Sequence, residues 1–238
     1  MAVLSDVHGN AVALEAVLAD VEAAAPDLIV FGGDLTWGPL PLETLDLVRA
    51  LTTPTLCVRG NADRALLEGS DAPTEREQWL AERHSPDALA FVETFVESAS
   101  VEIGSLGAVR FCHGSPRSDE ELVTPETPEP RIRALAAGMT ERVLVTAHTH
   151  LQFDRRVAGI RSVNAGSVGM PYEDKPAAYW AVLGPDVELR RTEYSLDEAV
   201  ERYRGSGDPL SEQMVEMLLE PPTRAEVIAH AERLEFSG

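Results

Sequence analysis

The sequence predicts an α/β fold in which two sheets pack face to face with helices on the outside. In the first half, short apolar runs alternate with helical patterns, which is typical of parallel strands joined by right-handed crossovers. In the second half, apolar runs follow one another at hairpin spacing, so we expect a second sheet built from hairpins. A chain of 238 residues with 44% hydrophobic and 25% charged residues suits one globular domain, expected over residues 1–238.

The first half follows a β-α-β-α-β order and then becomes helical. Short apolar runs predict three buried strands: Ala2–Ser5, Leu28–Phe31 and Thr55–Val58. Apolar residues at three- and four-residue intervals predict helices over residues 14–21 and 42–51. Residues of about 62–98 are also predicted to be helical and are acidic, with Pro73 and Pro86 as helix breakers. Asn10 stands where the first helix begins and is the expected N-cap residue.

The second half is rich in strands and ends in helices. The predicted strands are Val101–Ile103, Ala108–Cys112, Val143–Ala147, Phe153–Val157, Ile160–Val163, Ala177–Leu183 and Val187–Arg191. Helical patterning returns from Ser195. Because about 40 residues are marginal as a separate fold, we expect residues of about 195–238 to form a helical extension packed on the core.

Charge is the outlying property of the composition. The formal net charge is −20, which argues against a broad basic face for long nucleic acid or an anionic membrane. A small anionic substrate stays compatible with this charge, since metal ions supply positive charge locally. Asp6 and His8 interrupt the N-terminal apolar run, and no run reaches the length of a membrane span. Cys57 and Cys112 lie in separate apolar runs, so we expect reduced thiols and a cytoplasmic protein.

Residue types that bind metals follow the ends of five predicted strands. The set comprises two aspartates, one asparagine and four histidines: Asp6, His8, Asp34, Asn61, His113, His148 and His150. Ligands bind at the carboxyl edge of open α/β sheets, so these side chains are expected to meet. Oxygen and nitrogen donors without a thiolate suit manganese, iron or zinc. Seven ligands exceed one four-coordinate site and predict two divalent metal ions that share a carboxylate.

These blocks together resemble the calcineurin-like metallophosphoesterase superfamily. Its pattern is Asp-x-His, Gly-Asp, Gly-Asn-His-Asp/Glu, a lone His and Gly-His-x-His. The chain matches it with Asp6-Val7-His8, Gly33-Asp34, Gly60-Asn61-Ala62-Asp63, His113 and Ala147-His148-Thr149-His150. Residues 164–169, Asn-Ala-Gly-Ser-Val-Gly, are similar to the terminal block of its small prokaryotic phosphodiesterases. The resemblance implies a four-layer α/β/β/α sandwich of two mixed sheets, here with the C-terminal helical extension.

The resemblance also implies roles for the seven residues. One metal ion would bind Asp6, His8, Asp34 and His150, and the other would bind Asp34, Asn61, His113 and His148. Asp34 would bridge the two ions, and a metal-bridging hydroxide would attack phosphorus in line. Asp34, Asn61 and His113 are therefore the predicted catalytic residues.

Two departures from the family pattern bear on the substrate. Ala62 stands where many relatives have a histidine that protonates the leaving group, so we expect diesters or anhydrides with good leaving groups. Met170-Pro171-Tyr172 replaces a common Gln-Pro-Arg, which removes a phosphate-binding arginine. The candidate substrate-binding residues are Asn10, Trp37 and Arg117, with Arg59 as a further substitute. Asn10 has a second interpretation as a helix cap, Trp37 as loop packing and each arginine as a surface ion pair.

The leading hypothesis is a metal-dependent phosphodiesterase of small nucleotide-type substrates. The first alternative is a phosphatase of small phosphomonoesters. The second is a non-catalytic scaffold on the same fold, as in the retromer subunit that resembles these enzymes. All seven ligand positions are intact here, which disfavours a scaffold. His84 and His230 lie in charged helical surroundings and receive no function. The sequence does not predict an oligomeric state.

Overall fold

The computed structural model describes residues 1–234 and contains two five-stranded sheets. The strands are β1 (Ala2–Leu4), β2 (Ile29–Phe31), β3 (Thr55–Cys57), β4 (Ser98–Ile103), β5 (Gly107–Cys112), β6 (Val143–Thr146), β7 (Phe153–Val157), β8 (Ile160–Asn164), β9 (Ala178–Leu183) and β10 (Val187–Thr192). The helices of these residues are α1 (Ala11–Ala24), α2 (Pro41–Arg49), α3 (Asn61–Glu68), α4 (Glu75–Arg83), α5 (Pro86–Val92), α6 (Glu129–Leu135), α7 (Leu196–Gly205), α8 (Ser211–Leu219) and α9 (Arg224–Ala231).

The first sheet has the strand order β10-β9-β1-β2-β3. Strands β1, β2 and β3 are parallel, with Val3 opposite Val30 and Val30 opposite Leu56. The segments that follow these three strands therefore leave the sheet at the same edge. Asn10 begins α1 as predicted, since its side chain accepts a hydrogen bond from the Ala13 N–H at 3.0 Å.

The second sheet has the order β4-β5-β6-β8-β7, and its hairpin prediction is only partly right. Strands β5, β6 and β8 run parallel in its centre, and antiparallel β4 and β7 form its edges. The chain between β5 and β6 is long enough for a parallel crossover, which a tight hairpin is not. The β9–β10 hairpin joins the first sheet instead, where β9 pairs with β1.

The two sheets share an apolar core, which confirms the predicted α/β sandwich of two mixed sheets. Successive strand residues point to opposite faces, so β1 divides its side chains between two layers. Val3 packs in the cluster between the sheets with Phe111 and Val145, whereas Leu4 packs with Leu14 of α1 in the outer helical layer.

Helix α6 lies outside the second sheet and was not predicted. It is short, it has prolines at 128 and 130, and only Ile132 and Leu135 are its buried apolar residues, so its periodicity is weak. These two side chains pack against Phe153 and Val157 of β7. The tertiary contact, rather than local sequence, therefore accounts for this helix.

The C-terminal helices α7 and α8 pack against α1. Ala11 and Val12 share an apolar cluster with Tyr203, Met214 and Leu218. The helical extension was predicted to reach residue 238. The last four residues of this prediction, 235–238, lie outside the described residues.

In residues 1–234 no helix combines the length and the apolar character that crossing a membrane requires.

Cys57 and Cys112 are both unpaired, as predicted, and burial raises the pKa of each thiol to about 12. A thiol with so high a pKa is a poor nucleophile near neutral pH.

Candidate metal centre

The seven predicted ligands meet where the two sheets present their strand ends. Their acidic and imidazole members form two groups, and within each group one ligand atom per residue lies within 4.8 Å of the others: Asp6, His8 and His150 in one, Asp34, His113 and His148 in the other. The amide oxygen of Asn61 lies 3.0 Å from Nε2 of His113. The structure thus brings the predicted ligand residues together in two neighbouring groups.

Asp34 lies between the two groups. Its Oδ2 atom is 3.7 Å from Nε2 of His8 in the first group and 3.4 Å from Nε2 of His113 in the second. Its Oδ1 atom accepts a hydrogen bond from the Ala62 N–H at 2.9 Å. One carboxylate oxygen is held by the backbone and the other faces both groups, which is the arrangement of a bridging ligand.

Three of the histidines have their outer ring nitrogen fixed by a main-chain carbonyl. The Nδ1 atom of His8 lies 3.1 Å from the Trp37 oxygen, and that of His113 lies 2.7 Å from the Gly32 oxygen. The Nδ1 atom of His150 lies 2.6 Å from the Met170 oxygen. A carbonyl only accepts hydrogen bonds, so Nδ1 donates, and Nε2 keeps its lone pair for the interior in each neutral ring. Metal-binding histidines are oriented by contacts of this kind.

The contacts of the Asp6 carboxylate show whether these residues fit a metal ion. Its carboxylate is fully buried, and Oδ2 accepts hydrogen bonds from the Ser5 hydroxyl at 2.7 Å and the His148 N–H at 3.2 Å. Its Oδ1 atom has no hydrogen-bond partner and lies 3.3 Å from Nε2 of His150. Buried carboxylate oxygens are paired or bind metals in stable proteins. The unpaired oxygen beside imidazole nitrogens fits a divalent ion.

The backbone at the site is strained. Five of the seven non-glycine residues with positive φ in residues 1–234 are predicted ligands: Asp6, His8, Asp34, His148 and His150, with φ between 47° and 65°. This left-handed conformation is uncommon for residues with a Cβ and concentrates at functional sites. The left-handed conformation also turns the side chains of Asp6-x-His8 and His148-x-His150 toward one point. This convergence was predicted from the position of both pairs just after strand ends.

Gly38 permits the close approach of the loop that carries Trp37 to His8. A Cβ atom at Gly38 would lie 1.6 Å from the His8 carbonyl oxygen, which belongs to the backbone and cannot rotate away. We expect Gly38→Ala to lower the free energy of unfolding by about 1–3 kcal/mol, because the loop must shift. Chemical denaturation measures this loss. Gly184→Ala is the control, since nothing lies within 4 Å of its Cβ position. Equal stability of the two variants would contradict the packing described.

Burial and charge set the protonation of the site in the absence of ions. Burial lowers the pKa of His8 and of His148 to about 4, so both rings are neutral at pH 7. Burial also lowers the pKa of His113, but the Asp34 carboxylate outweighs this effect and raises it to about 10. The proton on His113 thus supplies positive charge beside the carboxylates.

The family profile of the calcineurin-like phosphoesterase superfamily domain matches residues 1–185. The chain belongs to the calcineurin-like phosphoesterase superfamily. A metallophosphoesterase from Sphaerobacter thermophilus is 27% identical over 92% of this chain and 98% of its own, with a TM-score of 0.76. A hypothetical protein, PH1004, from Pyrococcus horikoshii OT3 is 19% identical over 94% and 98% of the two chains, with a TM-score of 0.82, and shows the same fold. A novel archaeal phosphodiesterase is 16% identical over 80% and 98%, with a TM-score of 0.51. No curated protein matches the chain.

Asp63 supports the candidate site and was not among the predicted site residues. It is fully buried, and its carboxylate accepts hydrogen bonds from the N–H groups of Asp34, Leu35 and Gly60 at 2.8–3.1 Å. It therefore joins the loop after β2 to the start of α3. In the sequence, the only indication of a role for Asp63 was its place in the Gly60-Asn61-Ala62-Asp63 block. Its three backbone partners are seen only in the structure.

We expect Asp63→Asn to weaken manganese binding about 10- to 100-fold, as replacement of groups that orient metal ligands does. An amide has one acceptor oxygen where the carboxylate has two, so the Asp34 loop loses hydrogen bonds. Titration of the metal-free protein with manganese, followed by calorimetry, measures the change. Asp87→Asn is the control, because the Asp87 side chain is 89% exposed. Unchanged affinity in Asp63→Asn would show that the loop is held by other contacts.

A cavity of about 440 Å³ opens over the ligand residues. His8, Asp34, Asn61, His148 and His150 line it together with Trp37, Ala62, Ala65, Arg76, Met170, Tyr172 and Met214. The Tyr172 ring stacks on that of His150, with centroids 4.8 Å apart and planes 17° apart. The residue that replaces the family's arginine thus packs on a candidate ligand.

The three candidate substrate-binding residues occupy different places. Trp37 lines the cavity. Asn10 is fully buried and does not line the cavity, and its amide donates to the Gly169 carbonyl and the Tyr194 hydroxyl besides capping α1. Arg117 lies at a neighbouring cavity with His113, and its guanidinium is paired with Glu121. Arg59 lines that neighbouring cavity too and pairs with Glu97.

Proposed function

We propose that this protein is a phosphodiesterase that uses two divalent metal ions to cleave phosphodiester or phosphoanhydride bonds of small nucleotide-type substrates. Family membership supports the coarser statement that it is a metal-dependent phosphoesterase. The observation that carries the finer proposal is the position of Asp34, whose Oδ2 faces both ligand groups on the floor of an open cavity.

The chain's own residues have distinct tasks in this proposal. Asp6, His8, Asp34 and His150 would hold one ion, and Asp34, Asn61, His113 and His148 the other. Bound divalent ions supply a water-derived nucleophile near neutral pH and positive charge for the phosphoryl oxygens. Manganese, iron and zinc all suit this donor set. The carbonyls of Gly32, Trp37 and Met170 orient three imidazoles, so the ligands need little rearrangement.

The leaving group receives little proton donation from the protein. Ala62 lines the cavity where relatives have histidine, and an alanine has no proton to give. Burial raises the pKa of Tyr172 to about 12, which makes its hydroxyl a weak acid. General-acid help contributes about 10²–10⁴-fold in enzymes that have it, and basic leaving groups need it most. This supports substrates with good leaving groups, such as diesters of acidic alcohols and anhydrides.

The cavity walls support a nucleotide-type substrate. Trp37 and Tyr172 offer aromatic faces, and Met170 and Met214 offer adaptable apolar surface. Aromatic rings stack on nucleobases of any kind. The net charge of −20 opposes binding of long nucleic acid or of an anionic membrane, so we propose small soluble substrates. The unpaired thiols of Cys57 and Cys112 support a cytoplasmic location.

A substrate panel with added manganese tests this function. We expect faster turnover of bis(p-nitrophenyl) phosphate and dinucleoside polyphosphates than of phosphoserine peptides, with strong losses in Asn61→Ala and His113→Ala. His84→Ala is the matched control, because His84 is a buried histidine that does not line the cavity. Equal turnover of phosphoserine peptides would favour a monoester phosphatase. Absence of both turnover and metal binding would favour a scaffold, and full activity of both variants would remove the proposed site.

A further inference from the structure

Arg76 stands in the cavity wall and has no role in the chemistry described above. It lies in α4, part of the helical segment between β3 and β4, and only 5% of the residue is exposed. It is the one arginine or lysine that lines the cavity among the described residues. A buried cation beside a candidate phosphoesterase centre requires a physical explanation.

Asp208 fixes one side of the Arg76 guanidinium. Nη2 of Arg76 lies 2.6 Å from Oδ2 of Asp208, which is 3% exposed and lies in the turn between α7 and α8. Oδ1 of Asp208 accepts a hydrogen bond from the Leu210 N–H at 2.9 Å. The carboxylate is thus held by the backbone and positions the arginine from the C-terminal helices.

The pairing with Asp208 leaves part of the guanidinium unsatisfied. A guanidinium carries five N–H donors, and the buried Nε of Arg76 has no hydrogen-bond partner. An unpaired buried donor is unfavourable and uncommon in native proteins. Because Arg76 lines the cavity, an anionic group that enters it would meet guanidinium N–H groups that Asp208 does not use, and guanidinium edges match phosphate oxygens well.

Arg76 makes no ion pair with the carboxylates of the two ligand groups. Within 4 Å its carboxylate partner is Asp208, and neither Asp6 nor Asp34 pairs with it. The phosphate that is cleaved belongs at the ligand groups. A cation that lines the same cavity without pairing with the ligand carboxylates therefore suits a different anionic group of the same substrate.

We propose that Arg76 binds a second phosphate of the substrate, distinct from the one that is cleaved, and that Asp208 positions it. This inference rests on the proposed phosphodiesterase function and narrows its substrate class to esters or anhydrides that carry a further phosphate. Because the Gln-Pro-Arg arginine is replaced at 170–172, Arg76 supplies phosphate recognition from another part of the fold.

Two chromogenic substrates isolate the second phosphate. Thymidine 5′-(p-nitrophenyl phosphate) and its 3′-phosphorylated form share the scissile diester and the leaving group, and differ only in the added phosphate. We expect the wild-type protein with manganese to have the lower KM for the 3′-phosphorylated form. Arg76→Gln should raise that KM about 10- to 100-fold, the loss typical of a hydrogen bond to a charged group, with little change in kcat. The KM for the unphosphorylated form should change less than about threefold.

Loss of one partner of a buried ion pair can destabilise the fold by leaving a lone charge. The double variant Arg76→Gln/Asp208→Asn keeps polar groups in place without either charge, and thermal unfolding verifies that it folds. It should show the same selective rise in KM. Restoration of the wild-type preference in this double variant would show a merely structural role and overturn the proposal.

Binding of the products provides a readout without turnover. Calorimetry should show tighter binding of thymidine 3′,5′-bisphosphate than of thymidine 5′-phosphate to the manganese-loaded protein, and equal binding in Arg76→Gln. Equal binding of both products by the wild type would overturn the proposal. If neither ester is cleaved, the proposed function fails, while the calorimetric comparison still decides the role of Arg76.

Discussion

Replacement of Asp34 by asparagine should lower the turnover of bis(p-nitrophenyl) phosphate about 10³-fold or more, since shared metal coordination contributes several kcal/mol to transition-state stabilisation. Oδ2 of Asp34 faces both ligand groups, and an amide cannot bridge two cations as a carboxylate does. Asparagine tolerates the left-handed backbone at residue 34, where φ is 55°. It can also keep an oxygen for the Ala62 N–H.

Because the backbone preferences are retained, the loss in Asp34→Asn should not come from unfolding. Circular dichroism and thermal unfolding of the variant verify this. Asp87→Asn, at an exposed aspartate, should keep wild-type turnover. Retention of more than a tenth of the activity in folded Asp34→Asn would contradict a bridging role.

Removal of metal ions should abolish turnover and lower the melting temperature. Asp6 and Asp34 are both buried, and Oδ1 of Asp6 has no partner in the protein, so bound cations should stabilise the folded chain. An ion present at 100 times its dissociation constant stabilises by about 2.7 kcal/mol, which corresponds to about 5–10 °C for a chain of this size. Calorimetric scans before and after dialysis against a chelator measure the shift.

Re-addition of manganese should restore both the turnover and the melting temperature after dialysis. Magnesium should restore less, because it prefers oxygen ligands in octahedral geometry and the site offers four imidazoles. An unchanged melting temperature with retained turnover after dialysis would show that the seven residues serve another purpose.

The positions of the ligands could be predicted because they follow strands. Polar residues after β1, β2 and β3 converge since these strands are parallel, and β5 and β6 bring His113 and the His148 block to the same place. Within the second sheet, the Ala147 N–H donates to the His113 carbonyl at 2.7 Å, which continues the β5–β6 pairing up to the ligand residues. The strands that define the two sheets are also the ones whose ends bear the ligand residues. One sequence pattern, an apolar run followed by a polar residue, therefore predicts both the fold and the site.

The contacts of Arg76 could not be predicted for the opposite reason. Its partner Asp208 is 132 residues away, in a turn between two C-terminal helices. Neither residue follows a strand of the sheets, and an arginine in an acidic helix is usually a surface residue. The same applies to α6, which depends on Phe153 and Val157 of β7 rather than on its own periodicity. Features that arise from packing between distant helices and sheets leave little trace in local sequence.

The net charge of −20 has two separate physical meanings in this structure. The carboxylates of Asp6 and Asp34 are buried at the ligand groups, where divalent ions would reverse the local charge. Exposed acidic residues elsewhere, such as Glu97, keep the surface negative. This separation is compatible with a small phosphate ester at the centre and unfavourable for a long polyanion across the surface.

The number of manganese ions bound per chain tests the central claim most directly. Mass spectrometry of metal content, on protein saturated with manganese and then freed of unbound ions, gives this ratio. We predict two ions per wild-type chain and one or none in Asp34→Asn. A wild-type ratio near zero, or a ratio of two that persists in Asp34→Asn, would contradict a shared centre built by these seven residues.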